Sequence, residues 1–95
     1  MSPRQRDLFS TSQQALDSII DSLPHLRRQV WEYLLEQGDR GATDEEMQDA
    51  LNMNPSTQRP RRLELLESNP PLIRDIGKRR PTKSGRSATV WKIVE

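Results

Sequence analysis

The chain has no cysteine and only one histidine, His25, among its 95 residues. The first absence excludes disulfide bonds and thiolate metal sites, and it suits a protein of a reducing compartment. The second leaves neither a histidine-based metal centre nor a Ser-His-Asp triad much to build on. We therefore expect that the protein is not an enzyme and uses no metal ion or cofactor.

Apolar residues are also scarce, at 32% of the chain, and aromatic residues make up only 4%. No window approaches the roughly 18–20 consecutive apolar residues of a membrane span. The N-terminus lacks the apolar segment of a signal peptide. We expect one small cytoplasmic domain with no membrane partner.

Charge is divided unevenly along the chain, although the formal net charge is only +1. Residues 1–58 carry five arginines against ten acidic residues, a net charge of −5. Residues 59–95 carry ten lysines and arginines against four acidic residues, a net charge of +6. A single lysine or arginine is usually just a solvated side chain, but such polarity between two halves indicates that one end meets a polyanion.

Capping residues and helical periodicity divide the chain into a short tail and one domain. Residues 1–10 are predicted to form a flexible tail, and residues 11–95 the domain. A short amphipathic helix is predicted over about 13–21. A second helix is predicted from Pro24 to about Gln37.

Two further predicted helices are separated by a tight turn, in the arrangement of a helix-turn-helix. Thr43 and Glu46 are spaced as a capping box, which begins the first of them. The second is predicted over about 56–67. A two-stranded hairpin, called the wing below, follows over about 72–94, and its strands are joined by the long basic tip 77–87.

The last strand has one face suited to the core. Trp91 and Ile93 share that face, whereas Val90, Lys92 and Val94 share the other. Because only one face can meet the helices and Lys92 belongs outside, we predict that Trp91 and Ile93 are buried in the core.

Pro60 stands inside the helix predicted over about 56–67, between Arg59 and the pair Arg61–Arg62. This helix is called the third helix below, because the short N-terminal helix is counted as an extra one. With Ser56 as the N-cap, it falls near the fourth helical position, where it costs less than the roughly 3 kcal/mol of an interior proline. The free N–H groups and dipole of a helix N-terminus favour phosphate and disfavour cations. Arginines clustered at this end therefore indicate an anionic partner.

The order of the elements is typical of a DNA-binding helix-turn-helix, whose second helix lies in the major groove. We predict that the third helix contacts double-stranded DNA there and that the wing contacts backbone or minor groove. If six to eight cations meet phosphates, log K against log salt has a slope of about −5 to −7. The predicted DNA-binding residues are Thr57, Gln58, Arg59, Arg61, Arg62, Lys78, Arg79, Arg80, Lys83 and Arg86.

Three stretches resemble a group of small winged helix-turn-helix proteins that are common in bacteriophage genomes and prophages. They are ALDSIIDSLPHLRRQVWEYL, GATDEEMQDALNMNPSTQRPRRLELLES and RRPTKSGRSATVWKIV, and the similarity covers residues 15–94. TQRPRRLEL and RPTKSGR are its most specific parts. The resemblance implies a mostly α-helical winged helix with a small β-hairpin, here with an extra N-terminal helix. It also implies DNA binding, and we expect a transcriptional regulator in a host bacterial cell.

The group usually has a short glycine-containing turn where this chain has SNPP, at residues 68–71. The ending TVWKI also resembles the last strand of Z-DNA-binding winged helices. Those proteins contact DNA through an asparagine and a tyrosine on the third helix, and residues 59–66 contain neither. We therefore reject that subclass.

Other functions remain open from the residues alone. Winged helices also serve as protein-interaction adaptors, and an adaptor in a phage replication or packaging complex could work through the acidic half. The apolar stripe of the N-terminal helix could cover the core, pair with a second copy or meet another phage or host protein. RNA binding is disfavoured by the lack of exposed aromatic residues for stacking. The acidic cluster at residues 44–49 is interpreted as a solvated helix start rather than a metal site.

Overall fold

The computed structural model describes residues 17–94. The predicted tail and the first part of the N-terminal helix lie outside these residues. The elements in chain order are α1 (17–21), α2 (His25–Gln37), a 3₁₀ turn (Gly38–Arg40), α3 (Asp44–Leu51), α4 (Pro55–Leu66), β1 (Ile73–Pro81) and β2 (Ser87–Ile93). The described chain is thus mostly helical and carries one antiparallel two-stranded hairpin. None of the helices in this part has both the length and the apolar character needed to cross a membrane.

Local capping chemistry begins α3, as predicted. The Thr43 hydroxyl accepts a hydrogen bond from the Glu46 N–H at 3.2 Å, and a Glu46 carboxylate oxygen accepts from the Thr43 N–H at 3.0 Å. This reciprocal pair satisfies two N–H groups that the helix itself cannot satisfy. Asn52 then ends α3 in the left-handed conformation, with φ 54°. The turn between α3 and α4 is therefore short and fixed by its own residues.

The cap of α4 lies two residues earlier than predicted. Asn54, not Ser56, is the N-cap, and its side-chain oxygen accepts from the Thr57 N–H at 3.0 Å. Pro55 occupies the first helical position, where its missing N–H costs nothing. Pro60 is consequently the sixth helical residue, a full turn inside α4, where an N–H would ordinarily bond to the carbonyl of Ser56.

Replacement of Pro60 by alanine should therefore stabilise the fold. Alanine restores one hydrogen bond and removes the ring clash, and the greater freedom of the unfolded chain offsets part of that gain. We expect about 1–2 kcal/mol of added stability and a rise in Tm of roughly 5–10 °C by circular dichroism. The matched control is Pro55→Ala, which should change Tm little. A lower Tm for Pro60→Ala would contradict this account.

The core forms where the helices pack on the hairpin. Leu34 of α2, Leu65 of α4 and Ile73 of β1 are fully buried. Trp91 and Ile93 of β2 are each 9% exposed and belong to the same cluster, which confirms their predicted inward face. The core is therefore made by residues from both the helical and the hairpin part of the described chain.

The second face of β2 is covered as well, which the sequence did not predict. Val90 is fully buried, and the backbone of Gly41 lies directly against it. The Lys92 side chain is only 14% exposed, and its Nζ lies 2.6 Å from a carboxylate oxygen of Asp39. The expectation that only one face of this strand is covered and that Lys92 lies outside was wrong, because the segment from Gly38 to Gly41 packs on the second face.

Ala42, which lies between the 3₁₀ turn and α3, also pairs with the sheet. The Ala42 N–H donates to the Trp91 carbonyl at 2.9 Å, and the Trp91 N–H donates to the Ala42 carbonyl at 2.8 Å. Because β1 pairs with the other edge of β2, Trp91 lies between Ala42 on one side and Asp75 of β1 on the other. This Ala42–Trp91 bridge fixes the hairpin against the segment that leads into α3.

The hairpin lies where it was predicted, but its first strand is longer than predicted and its tip is shorter. β1 continues to Pro81, and only residues 82–86 form the tip. Pairing runs from Ile73↔Ile93 to Asp75↔Trp91, is interrupted over residues 76–78, and resumes at Arg79↔Thr89. The cations of residues 78–80 therefore lie in a strand and not in a loop.

Candidate nucleic-acid interface

Gln58 has no surface from which to contact a ligand. It is fully buried, and its Nε2 donates to a carboxylate oxygen of Asp44 at 3.0 Å. Its Oε1 accepts from Gln48 Nε2 at 2.9 Å. The side chain thus ties α4 to α3. This buried position gives Gln58 a structural role, and it is left out of the interface proposed below.

Arg62 is also held inside the molecule. Its Nε and Nη2 donate to the two carboxylate oxygens of Asp44 at 3.0 and 2.7 Å. Its guanidinium carbon lies 4.5 Å from the ring centroid of Trp91, within cation–π distance. The side chain is only 17% exposed. A bidentate, stacked arginine of this kind fixes the approach of α4 to α3 and β2.

Arg80 links the wing to the start of α3. Its guanidinium donates to both carboxylate oxygens of Glu46, at 2.9 and 3.1 Å. It also donates to the backbone carbonyls of Arg40 and Gly41, each at 3.1 Å. Two hydrogen bonds therefore hold Arg80 against α3, and two more hold it against the turn that precedes α3.

The tip of the wing is fastened to α3 in the same way. Lys83 Nζ lies 2.7 Å from a carboxylate oxygen of Asp49, and the Lys83 N–H donates to Glu45 at 2.9 Å. The hydrogen bond and charge of Asp49 raise the pKa of Lys83 above its ordinary value. The acidic cluster of α3 was interpreted from the sequence as a solvated helix start, but three of its carboxylates form ion pairs with Arg62, Arg80 and Lys83. It does begin the helix, as the capping box shows.

The other predicted residues remain nearer to solvent. Arg61 pairs with Glu64 at 2.6 Å, and Arg79 lies 3.5 Å from Asp75 in a pair whose members are about half exposed. Thr57 is half-buried. Arg59, Lys78 and Arg86 are exposed and make no ion pair with any other residue of the range 17–94.

A cleft of about 260 Å³ separates α4 from the wing. Arg59 borders it on the α4 side, and Thr82 and Thr89 border it on the wing side. Asp44 and Arg62 form part of its lining. The structure therefore brings α4 and the wing to one common surface, which includes the Asp44–Arg62 ion pair and the exposed Arg59.

Arg74 is a cation that was not among the DNA-binding residues predicted from the sequence. It is exposed on β1 and makes no ion pair within residues 17–94. A sequence signal was present, because Arg74 alternates with the buried Ile73 in a predicted strand and so belongs on the outer face. The dense run of cations at residues 78–86 was the stronger signal, and an isolated arginine does not stand out beside it.

The ionisation of Glu46, which binds Arg80 of the wing, makes the stability of the fold depend on pH. Burial acts to raise the pKa of its carboxyl. The hydrogen bonds from Arg80 and from the Thr43 N–H, together with the charges of Arg80 and Arg40, outweigh burial and hold the pKa below its ordinary value. Because the folded pKa is the lower one, the stabilisation is present above the unfolded pKa, near 4.5, and is lost as pH falls through the folded pKa.

Glu46→Gln is expected to lower the free energy of unfolding by about 1–2 kcal/mol at neutral pH, because a neutral amide bonds less strongly to Arg80. The difference from wild type should shrink as the pH falls below about 4.5, where wild type also loses the charge. Urea denaturation at neutral and acidic pH measures both values. The control Glu36→Gln removes an exposed carboxylate of α2 and should stay within about 0.5 kcal/mol of wild type. An unchanged gap between Glu46→Gln and wild type at both pH values would contradict this assignment.

Comparisons with protein-family models, with curated proteins and with solved structures found no match for this chain. Over the described range, no group of three or more histidine, aspartate or glutamate side chains is arranged to hold a metal ion. The geometry of α4 and the wing is therefore what supports a functional proposal.

Proposed function

We propose that this chain is a winged helix-turn-helix protein that binds double-stranded DNA and acts as a transcriptional regulator of phage or prophage origin in the bacterial cytoplasm. The observation that carries the proposal is the cleft shared by α4 and the wing, with the exposed Arg59 in its lining. Lys78 and Arg86 add two further exposed cations on the wing. The short turn between α3 and α4 supports a helix-turn-helix. The Ala42–Trp91 bridge supports a hairpin held beside it as a wing.

The exposed cations set the strength of the expected binding. Arg62, Arg80 and Lys83 are occupied by acidic residues of α3, and we assign them to holding the surface together. About three to five phosphate contacts then remain for the exposed cations on α4 and the hairpin. The expected salt slope is about −3 to −4.5, shallower than the composition alone suggested.

Fluorescence anisotropy with random duplex DNA tests the proposal. Affinity should fall by roughly 60- to 500-fold when salt rises about fourfold, as such slopes require. Arg59→Ala and the double variant Lys78→Ala/Arg86→Ala should each weaken binding and flatten the slope by about one for each phosphate that is no longer neutralised. The matched control is Arg28→Ala, which removes a half-buried cation of α2 that pairs with Asp21 and Glu32 and should leave the slope unchanged.

A protein-interaction adaptor is the second candidate, and one observation favours it. A groove of about 480 Å³ lies between α2 and α3, and its lining includes Glu32, Tyr33, Glu36 and Leu51. Such a mixture of acidic and apolar side chains suits a basic amphipathic segment of another protein. Failure to bind DNA even at low salt would overturn the first proposal and leave this one.

A further inference from the structure

One face of α4 is exposed along much of its length. Ser56, Arg59 and Leu63 follow one another at helical spacing and are all exposed. Leu63 is 43% exposed, although Leu65 two positions later is fully buried. A serine, an arginine and a leucine side chain therefore share the outer face of α4, the helix that we propose lies in the major groove.

We propose that Arg59 and Leu63 determine which DNA sequence is bound, Arg59 by contacting a guanine and Leu63 by packing on the methyl group of a thymine. This inference rests on the DNA-binding function proposed above. It adds to that function the two residues that read bases and the bases that they read.

Chemistry assigns the partner of each side chain. An arginine can donate two hydrogen bonds to O6 and N7 of guanine, which is the commonest specific contact in the major groove. The thymine C5-methyl group is the apolar feature that base edges present there. An exposed leucine on a recognition face gains most by covering that group, since burial of apolar surface is favourable.

Three other polar side chains of α4 are poorly placed for this task. Gln58 is fully buried, and Arg62 is paired with Asp44. Arg61 is paired with Glu64, which also binds Arg27 of α2. Base reading by any of these would require a hydrogen bond or ion pair of the fold to be broken. Arg59 is held by no such pair within residues 17–94, and Leu63 has no polar group to satisfy.

Helix geometry fixes the spacing of the two bases. Residues 59 and 63 are four positions apart, which is about 6 Å along the helix axis. Successive base pairs are about 3.4 Å apart along the duplex. A helix lying along the groove therefore places Arg59 and Leu63 about two base pairs from each other. The preferred site should contain a guanine and a thymine at that separation.

The experiment begins with selection of preferred duplexes from a random library by the full chain. Two analogues of the selected duplex are then measured. 7-Deazaguanine removes the N7 acceptor, and deoxyuridine in place of thymidine removes the methyl group. Against wild type, the first should weaken binding roughly 5- to 100-fold. The second should weaken it about fourfold, the value of one buried methyl group.

Variants show which residue reads which base. Arg59→Ala should no longer distinguish 7-deazaguanine from guanine but should keep the penalty for deoxyuridine. Leu63→Ala should show the reverse pattern. Arg86→Ala, on the wing, is the control and should weaken binding to all duplexes by a similar factor. Both α4 positions are exposed, so Tm should confirm that the variants stay folded.

The outcomes separate this inference from the function on which it rests. Salt-dependent binding without a preferred sequence would overturn the inference and leave DNA binding in place. The same holds if Arg59→Ala and Leu63→Ala both keep the two analogue penalties. An absence of binding to every duplex at low salt would overturn both proposals together.

Discussion

Replacing Gly41 with alanine is expected to lower the free energy of unfolding by at least about 3 kcal/mol. Gly41 has φ 62° and ψ −167°, a region that is accessible almost only to glycine. An added Cβ would collide with the carbonyl oxygen of Trp91 and would lie 2.8 Å from Val90 Cγ1. Backbone strain and the loss of both hydrogen bonds of the Ala42–Trp91 bridge together account for the expected effect. Tm should fall by roughly 15 °C or more in thermal denaturation.

The control for this prediction is Gly85→Ala at the tip of the wing. Gly85 also has a positive φ, 86°, but no atom lies within 4 Å of its added Cβ. Only backbone strain remains there, and the expected loss is about 1 kcal/mol. Equal losses at the two glycines would show that the close approach of Gly41 to β2 contributes nothing.

Arg62→Ala is expected to destabilise the protein by about 2–3 kcal/mol. The change removes a bidentate pair with Asp44 and the stacking on Trp91. It also leaves the Asp44 carboxylate, whose side chain is 22% exposed, with the hydrogen bond from Gln58 as its remaining side-chain partner among the described residues. Urea denaturation measures the loss, and a double-mutant cycle with Asp44→Asn isolates the energy of the pair.

Arg59→Ala is the matched control, because the same atoms are removed from the same helix. Arg59 is exposed, and stability should stay within about 0.5 kcal/mol of wild type while DNA affinity falls. The two substitutions should thus have different effects: Arg62→Ala should lower stability, and Arg59→Ala should lower DNA affinity. If Arg62→Ala kept wild-type stability but lost DNA binding, Arg62 would belong to the interface after all.

Features that depend on neighbouring residues could be predicted from the sequence. The Thr43–Glu46 capping box needs only four consecutive residues, and it begins α3 as expected. The alternation of Trp91 and Ile93 correctly identified the buried face of β2. The cap of α4 was placed two residues late, because Asn54 and Ser56 are both good N-caps and local propensity does not choose between them.

Features that depend on distant partners could not be predicted. Arg62 and its partner Asp44 are 18 residues apart, and Arg80 and Glu46 are 34 apart. Composition marks such side chains as cations and acids, but it does not say which of them meet. The extension of β1 to Pro81 has the same origin. GKRRP lacks the β-branched residues typical of strands, and contacts with α3 hold it there.

The Ala42–Trp91 bridge has a consequence for the order of folding. Its two residues are separated by about half of the chain, so pairing them closes a long loop, and the entropy cost of closure rises with loop length. Formation of α2, α3 and α4 is local and does not carry that cost. We expect these helices to assemble first and to shorten the loop, and the hairpin to join them late. The slowest step of folding would then be the docking of a strand onto a preformed helical unit.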